Sequence, residues 1–148
     1  MTSAPILVYP NFDKPFILFT DASTSGLGAV LSQKDDEGRE RVVAYASRRA
    51  SHAESNYSIT ELECLAVVWA VKLFRPYLQS NIPFQLITDH SALKWLFNKP
   101  NPPGKLARWV MLLRDYNFSV IHKKGKTHSN VDPLSRMYTT PSSSSLIS

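Results

Sequence analysis

The sequence predicts an α/β protein built on a five-stranded mixed sheet flanked by helices. Two observations carry this. Three strand-like segments come first, two of them as a hairpin, and strand then alternates with helix. A chain of 148 residues, 43% hydrophobic and 20% charged, also has the size and composition of one globular domain.

Residues 1–14 hold the turn-formers Pro5, Pro10 and Asn11 and little periodicity, so they read as a connector or a packed extended arm. Residues 15–20 are nearly all apolar, as a central buried strand requires. Segments 27–33 and 41–47 flank the turn 34–39 and read as a hairpin. Gly26 and Gly28 stand where the chain must turn back tightly. The longest helix spans about 58–79, with Ser58 and Thr60 as cap-type residues and Pro76 expected to kink or shorten its last turn. A fourth strand at 84–88 leads to a helix at 91–98. A Pro-rich break precedes a helix at 105–115, and a fifth strand follows at 117–122. A short helix is expected at about 130–136, then a low-complexity Ser-rich tail, residues 138–148, expected to be disordered.

One cysteine, Cys64, excludes an internal disulfide and a Cys-rich zinc site. No apolar run approaches the roughly 18 residues of a membrane span, and nothing at the N-terminus reads as a signal peptide, so an intracellular setting without a membrane is expected. The net charge of +5 and pI near 9.4 suit a polyanion partner, with positive charge gathered at Arg48–Arg49 and along 122–126.

Four carboxylates stand at the ends of separate elements. Asp21 and Asp89 close two apolar strands, Glu63 lies early in the long helix, and Asp132 opens the last short helix. Sites in open α/β sheets form beyond the carboxyl ends of the strands. A cage of such oxygens suits Mg²⁺, and two ions in one cage run phosphodiester hydrolysis. Taken singly, each aspartate reads better as a turn or cap residue; the four carboxylates together, in this order, read as a metal site. Glu61 competes with Glu63, but two positions apart on a helix they diverge by about 200°. The stripe through Glu63 runs Ala66, Val67, Ala70 and Phe74, whereas that through Glu61 drifts to Lys72 and Arg75. Glu63 therefore faces the sheet. Trp69, Trp95 and Trp109 have apolar neighbours and read as core, with a place near nucleic acid as the alternative for Trp95. His52, His90 and His128 read as surface or turn residues.

The strings Phe19-Thr-Asp-Ala-Ser23, Glu63-Cys-Leu-Ala-Val-Val-Trp-Ala70, Thr88-Asp-His-Ser-Ala-Leu-Lys-Trp95 and Asn130-Val-Asp-Pro-Leu-Ser-Arg136 resemble the ribonuclease H domain of retrotransposon Pol polyproteins, most closely the Gypsy class of long-terminal-repeat elements. The resemblance covers roughly residues 4–137. It implies a ribonuclease H-like fold for residues 15–137, with residues 1–14 as the connector from a preceding reverse transcriptase region. It further implies an endonuclease cleaving the RNA strand of RNA–DNA hybrids by two-metal catalysis. Asp21, Glu63, Asp89 and Asp132 would be the ligands of two Mg²⁺ ions, for which Mn²⁺ would substitute. His122, ten residues before Asp132, takes the place of a functional histidine carried in a mobile loop. Backbone groups of Ala22, Ser23 and Thr24 would touch the 2′-OH that marks RNA. The implied partners are the hybrid and the reverse transcriptase domain of the same polyprotein, in a cytoplasmic virus-like particle or the nucleus.

Two departures from the pattern stand out. Ile59 and Thr60 replace the Asn or Gln with which cellular relatives touch the hybrid, and only the loop 98–104 fills the place of their basic helical protrusion. Weak binding by the isolated domain follows. The competing function is an inactive module that positions nucleic acid or the polymerase; loss of an acidic ligand would mark it, and none is lost. A recombinase of the same broad fold usually takes its glutamate from a helix after the last strand, whereas Glu63 lies between the two strand-end aspartates.

Overall fold

The computed structural model describes residues 7–89, 91–98, 102 and 104–122, without the side chains of Ser91, Ala92 and Trp95. Its elements run β1 (Ile17–Ala22), β2 (Gly26–Lys34), β3 (Glu40–Arg49), α1 (Ile59–Leu73), α2 (Arg75–Leu78), β4 (Phe84–Thr88), α3 (Ser91–Phe97), α4 (Gly104–Leu113) and β5 (Phe118–His122), with a 3-10 turn at Glu54–Asn56. The expected helix at 130–136 and the Ser-rich tail lie outside the described residues.

The five strands form one sheet in the order β3-β2-β1-β4-β5. β1, β2 and β3 are a two-hairpin antiparallel meander, while β4 runs parallel to both β1 and β5. Parallel neighbours need crossovers, which α1 and then α3 with α4 supply.

β1 is the central strand because it is apolar on both faces. Leu18 joins the main core with Ala29, Leu31, Leu86 and the inner faces of α1, α3 and α4. Ile17 and Phe19 point the other way, into a smaller cluster with Val30 and Ile87. The hairpin turn closes at Gly38, whose φ of 81° is left-handed and whose N–H donates to Asp35 O at 2.9 Å. Gly26 and Gly28 are different: neither has a positive φ. Gly28 simply pairs across from Asp21, and Gly26 exchanges backbone hydrogen bonds with Ser23 at 2.9 and 3.3 Å.

The long helix is two helices. It starts in a capping box, Glu61 N donating to Ser58 Oγ at 3.1 Å and Ser58 N to Glu61 Oε1 at 2.9 Å. It breaks at Phe74, and Pro76 sits in the first turn of α2. A proline at position 76 cannot donate to the fourth residue back and its ring crowds that carbonyl, so the chain restarts there. Trp69 and Trp109 pack half-buried against the main core. No helix among the described residues is long and apolar enough to cross a membrane.

Candidate active site

Two parallel strands carry the aspartates to one place. Ile17, Leu18 and Phe19 stand level with Gln85, Leu86 and Ile87. The same offset, carried two residues on, sets Asp21 beside Asp89 at the carboxyl edge. Glu63, on the second turn of α1, comes down on them from the helical layer. One carboxylate oxygen from each of Asp21, Glu63 and Asp89 lies within 4.8 Å of the others.

The three environments differ. Asp89 is exposed at the rim, Asp21 is half-buried, and Glu63 is only 5% exposed. Burial pushes the Glu63 carboxyl up to about 8, with the negative charges of Asp21 and Asp89 adding to it. Burial, then the charge of Asp89, brings Asp21 up to about 6. The Ala22 N–H, donated to Asp21 Oδ1 at 2.9 Å, works against the rise. Glu63 Oε1 is buried with no hydrogen-bond partner, an arrangement that costs stability unless a cation or proton satisfies it. A hard divalent ion fits this donor set: three convergent carboxylates, one of them with a buried oxygen that has no partner.

Glu61 is spent elsewhere. Its carboxylate caps α1 and meets Lys105 Nζ at 3.5 Å, and these contacts hold it below its usual value. The helix phase thus divides the two glutamates as the spacing predicts.

His122 is not in a loop. It is the last residue of β5, paired beside Thr88 of β4, and its Nε2 lies 3.1 Å from the Asp89 backbone oxygen. A carbonyl only accepts, so Nε2 carries the proton in this contact. The histidine therefore stands at the same sheet edge as the carboxylates. Asp132, the fourth expected ligand, lies outside the described residues, as do His90, His128 and the lysines of 123–126. His52 is exposed in the loop before α1.

Arg48, half of the basic pair at Arg48–Arg49, is engaged within the chain. Its guanidinium donates to both Glu54 oxygens at 2.9 and 3.0 Å and lies 5.9 Å over the Trp69 ring. It ties β3 to the 3-10 turn that precedes α1, a role that residues six apart across a loop do not announce in sequence. Ile59 is 66% exposed and Thr60 half-buried, at the end of α1 nearest the carboxylates.

A mixed sheet in this order, with the acidic cluster at its carboxyl edge, defines a ribonuclease H-like α/β protein. The chain belongs to the family described as the RNase H-like domain found in reverse transcriptase, whose model matches residues 11–116. It is 42% identical over 137 residues to the retrovirus-related Pol polyprotein from transposon opus of Drosophila melanogaster, covering 93% of this chain and 14% of the relative. The Pol polyprotein from transposon 297 of the same organism is 45% identical over 133 residues, at 90% and 12% coverage. The Tf2-3 transposon polyprotein of Schizosaccharomyces pombe is 40% identical over 140 residues, at 93% and 10%. These relatives are polyproteins of Gypsy-class long-terminal-repeat retrotransposons, and the chain spans about a tenth to a seventh of their length. Among solved structures, the foamy viral protease-reverse transcriptase in complex with double-stranded DNA superposes with a TM-score of 0.60 at 17% identity, over 78% of this chain and 24% of that one. An RNase H1 isolated from compost gives 0.59 at 12% identity, over 82% and 92%. Both show the fold.

Proposed function

We propose that this domain is an endonuclease that hydrolyses the RNA strand of RNA–DNA hybrids during reverse transcription. The observation that carries the reading is the convergence of Asp21, Glu63 and Asp89 within 4.8 Å, with a Glu63 oxygen buried and unpaired. Family membership supports it, as do fold neighbours whose structures were determined with RNA/DNA hybrid bound.

Asp21, Glu63 and Asp89, with Asp132 as a fourth ligand, would hold two divalent ions, Mg²⁺ in the first instance and Mn²⁺ as a substitute. Bound there, the ions supply a nucleophilic water at neutral pH and charge stabilisation for the departing 3′ oxygen. The chain's own groups do the rest. Asp21 and Asp89 fix the site to the rigid centre of the sheet, where strand register holds their spacing. Glu63 closes it from the helical side. His122, with its proton on Nε2 at the rim, assists departure of the leaving group or release of product. The backbone of Ala22, Ser23 and Thr24, beside Asp21, is the surface for the 2′-OH.

The test is Asp89→Asn against a labelled RNA–DNA hybrid, with and without Mg²⁺. Asn keeps the shape and removes the charge. The parent should cleave the RNA strand only with the metal, and the variant should lose cleavage while remaining folded, with a metal-free melting temperature no lower than the parent's. Activity within a few-fold of the parent would remove Asp89 from the site. A parent that binds hybrid without cutting it would establish the positioning module instead.

A further inference from the structure

Apolar exposure on this domain is concentrated in one short stretch. Leu7 is 41% exposed, Val8 38%, Tyr9 95% and Phe12 54%, and among the described residues only Ile59 and Met111 join them as exposed large hydrophobics. A frayed segment would show the same numbers, but this one is pinned. Leu7 N donates to Val43 O at 2.7 Å, at the bulge where Val43 slips out of register in the edge strand β3. Gln33, 6% exposed, accepts from Asn11 N at 2.8 Å and donates to Asn11 O and Lys14 O at 2.7 and 3.1 Å. The Phe12 ring stacks on Tyr77 with centroids 6.0 Å apart. Beside the arm opens a hollow of about 420 Å³, walled by Val8, Tyr9 and Val43. Most of its charged rim is paired within the chain: Lys14 with Asp36 at 2.5 Å and Arg41 with Asp35 at 3.1 Å, with Lys34 beside them.

We propose that this arm and its hollow are the surface on which the polymerase part of the same polyprotein docks. The proposal rests on the reading of the chain as one part of a reverse transcriptase polyprotein. Three physical points select that occupant. An ordered arm that holds apolar side chains in water is a contact surface in waiting. Two of the three cations that line it, Lys14 and Arg41, are paired within the chain, so with Lys34 alone left it offers mainly apolar contact and little to a nucleic acid backbone. On that reading the polymerase part precedes this domain in the polyprotein, and the arm is the segment beside which it would be tethered. Free partners need about 20–30 residues a side, which four side chains do not supply. A tethered neighbour at millimolar effective concentration needs far less.

The test compares the polyprotein fragment running from the polymerase part through residue 148 with the 148-residue chain alone, by hydroxyl-radical footprinting at Tyr9 and Phe12. Both residues should be labelled several-fold more slowly in the longer protein. Tyr9→Asp should return the Phe12 rate to that of the chain alone, with the melting temperature of the short chain unchanged. Equal labelling in the two proteins would overturn the proposal. So would a dimer of the short chain in analytical ultracentrifugation that Tyr9→Asp disperses, since the occupant would then be a second copy. Footprinting needs neither hybrid nor cleavage, so a domain without nuclease activity would still report on the surface.

Discussion

Glu63 and Glu61 begin the same helix and live in different worlds. One is buried with an unpaired oxygen against two other carboxylates; the other is bound up in a cap and an ion pair. Glu63→Gln should therefore lower the hydrolysis rate by orders of magnitude and weaken Mn²⁺ binding in calorimetry. Glu61→Gln should leave both nearly unchanged, because glutamine still accepts from Ser58 N in the capping box and only the part-exposed pair with Lys105 is lost, at about 0–1 kcal/mol. The reverse pattern would place the wrong glutamate in the site. His122 donates to the Asp89 carbonyl at 3.1 Å and is not itself in the carboxylate cluster. His122→Ala should slow multiple-turnover cleavage by a factor of up to about 10²–10⁴ while Mn²⁺ affinity stays at the parental value. Loss of metal affinity would make His122 a ligand.

At the scale of elements, the position of α1 decides where Glu63 stands, and two devices set it. The capping box starts the helix at Ile59, and the Arg48–Glu54 pair, itself braced by Ser51 N on Glu54 Oε1 at 2.8 Å, holds the preceding loop to β3. The contact holds the Glu54 carboxyl down near 2. Arg48→Ala should cost about 1–3 kcal/mol in urea unfolding, because it strands Glu54 in a part-buried place. Arg48→Lys should recover only a fraction, since a lysine does not reproduce the two-pronged contact. An unchanged midpoint in either variant would show that the loop is held by other means.

For the whole molecule, the acidic cluster couples stability to pH and to metal. Asp21 and Glu63 bind their protons more tightly folded than unfolded, with values raised to about 6 and about 8. Their contribution is complete below their unfolded values of about 4 and is lost as pH rises through about 6 and then about 8. Asp35 and Glu54, held near 2, change the balance only at more acid pH. The metal-free melting temperature should thus fall between pH 5 and pH 8.5, on the order of a few degrees. Mg²⁺ should raise it more at the upper end, where it replaces the lost protons. Thermal melts with chelator or Mg²⁺ read this directly, and the Asp21→Asn, Glu63→Gln double variant should flatten the decline. A slope that survives both substitutions would have another origin.

Much of this architecture is a matter of local pattern. Strand lengths, the hairpin, the break before Pro76 and the facing of Glu63 toward the sheet follow from alternation, helical period and proline sterics, all contained in windows of a few residues. The strand-end positions of Asp21 and Asp89 are likewise legible from where apolar runs stop. Tertiary structure alone decided the rest. The common offset that levels Asp21 with Asp89, the Arg48–Glu54 tie, the grip of Gln33 on the arm and the His122 contact with the Asp89 carbonyl each join residues that no single window holds. Local periodicity says which face of an element is apolar; which element that face meets, and in what register, depends on chain closure and packing over the whole fold.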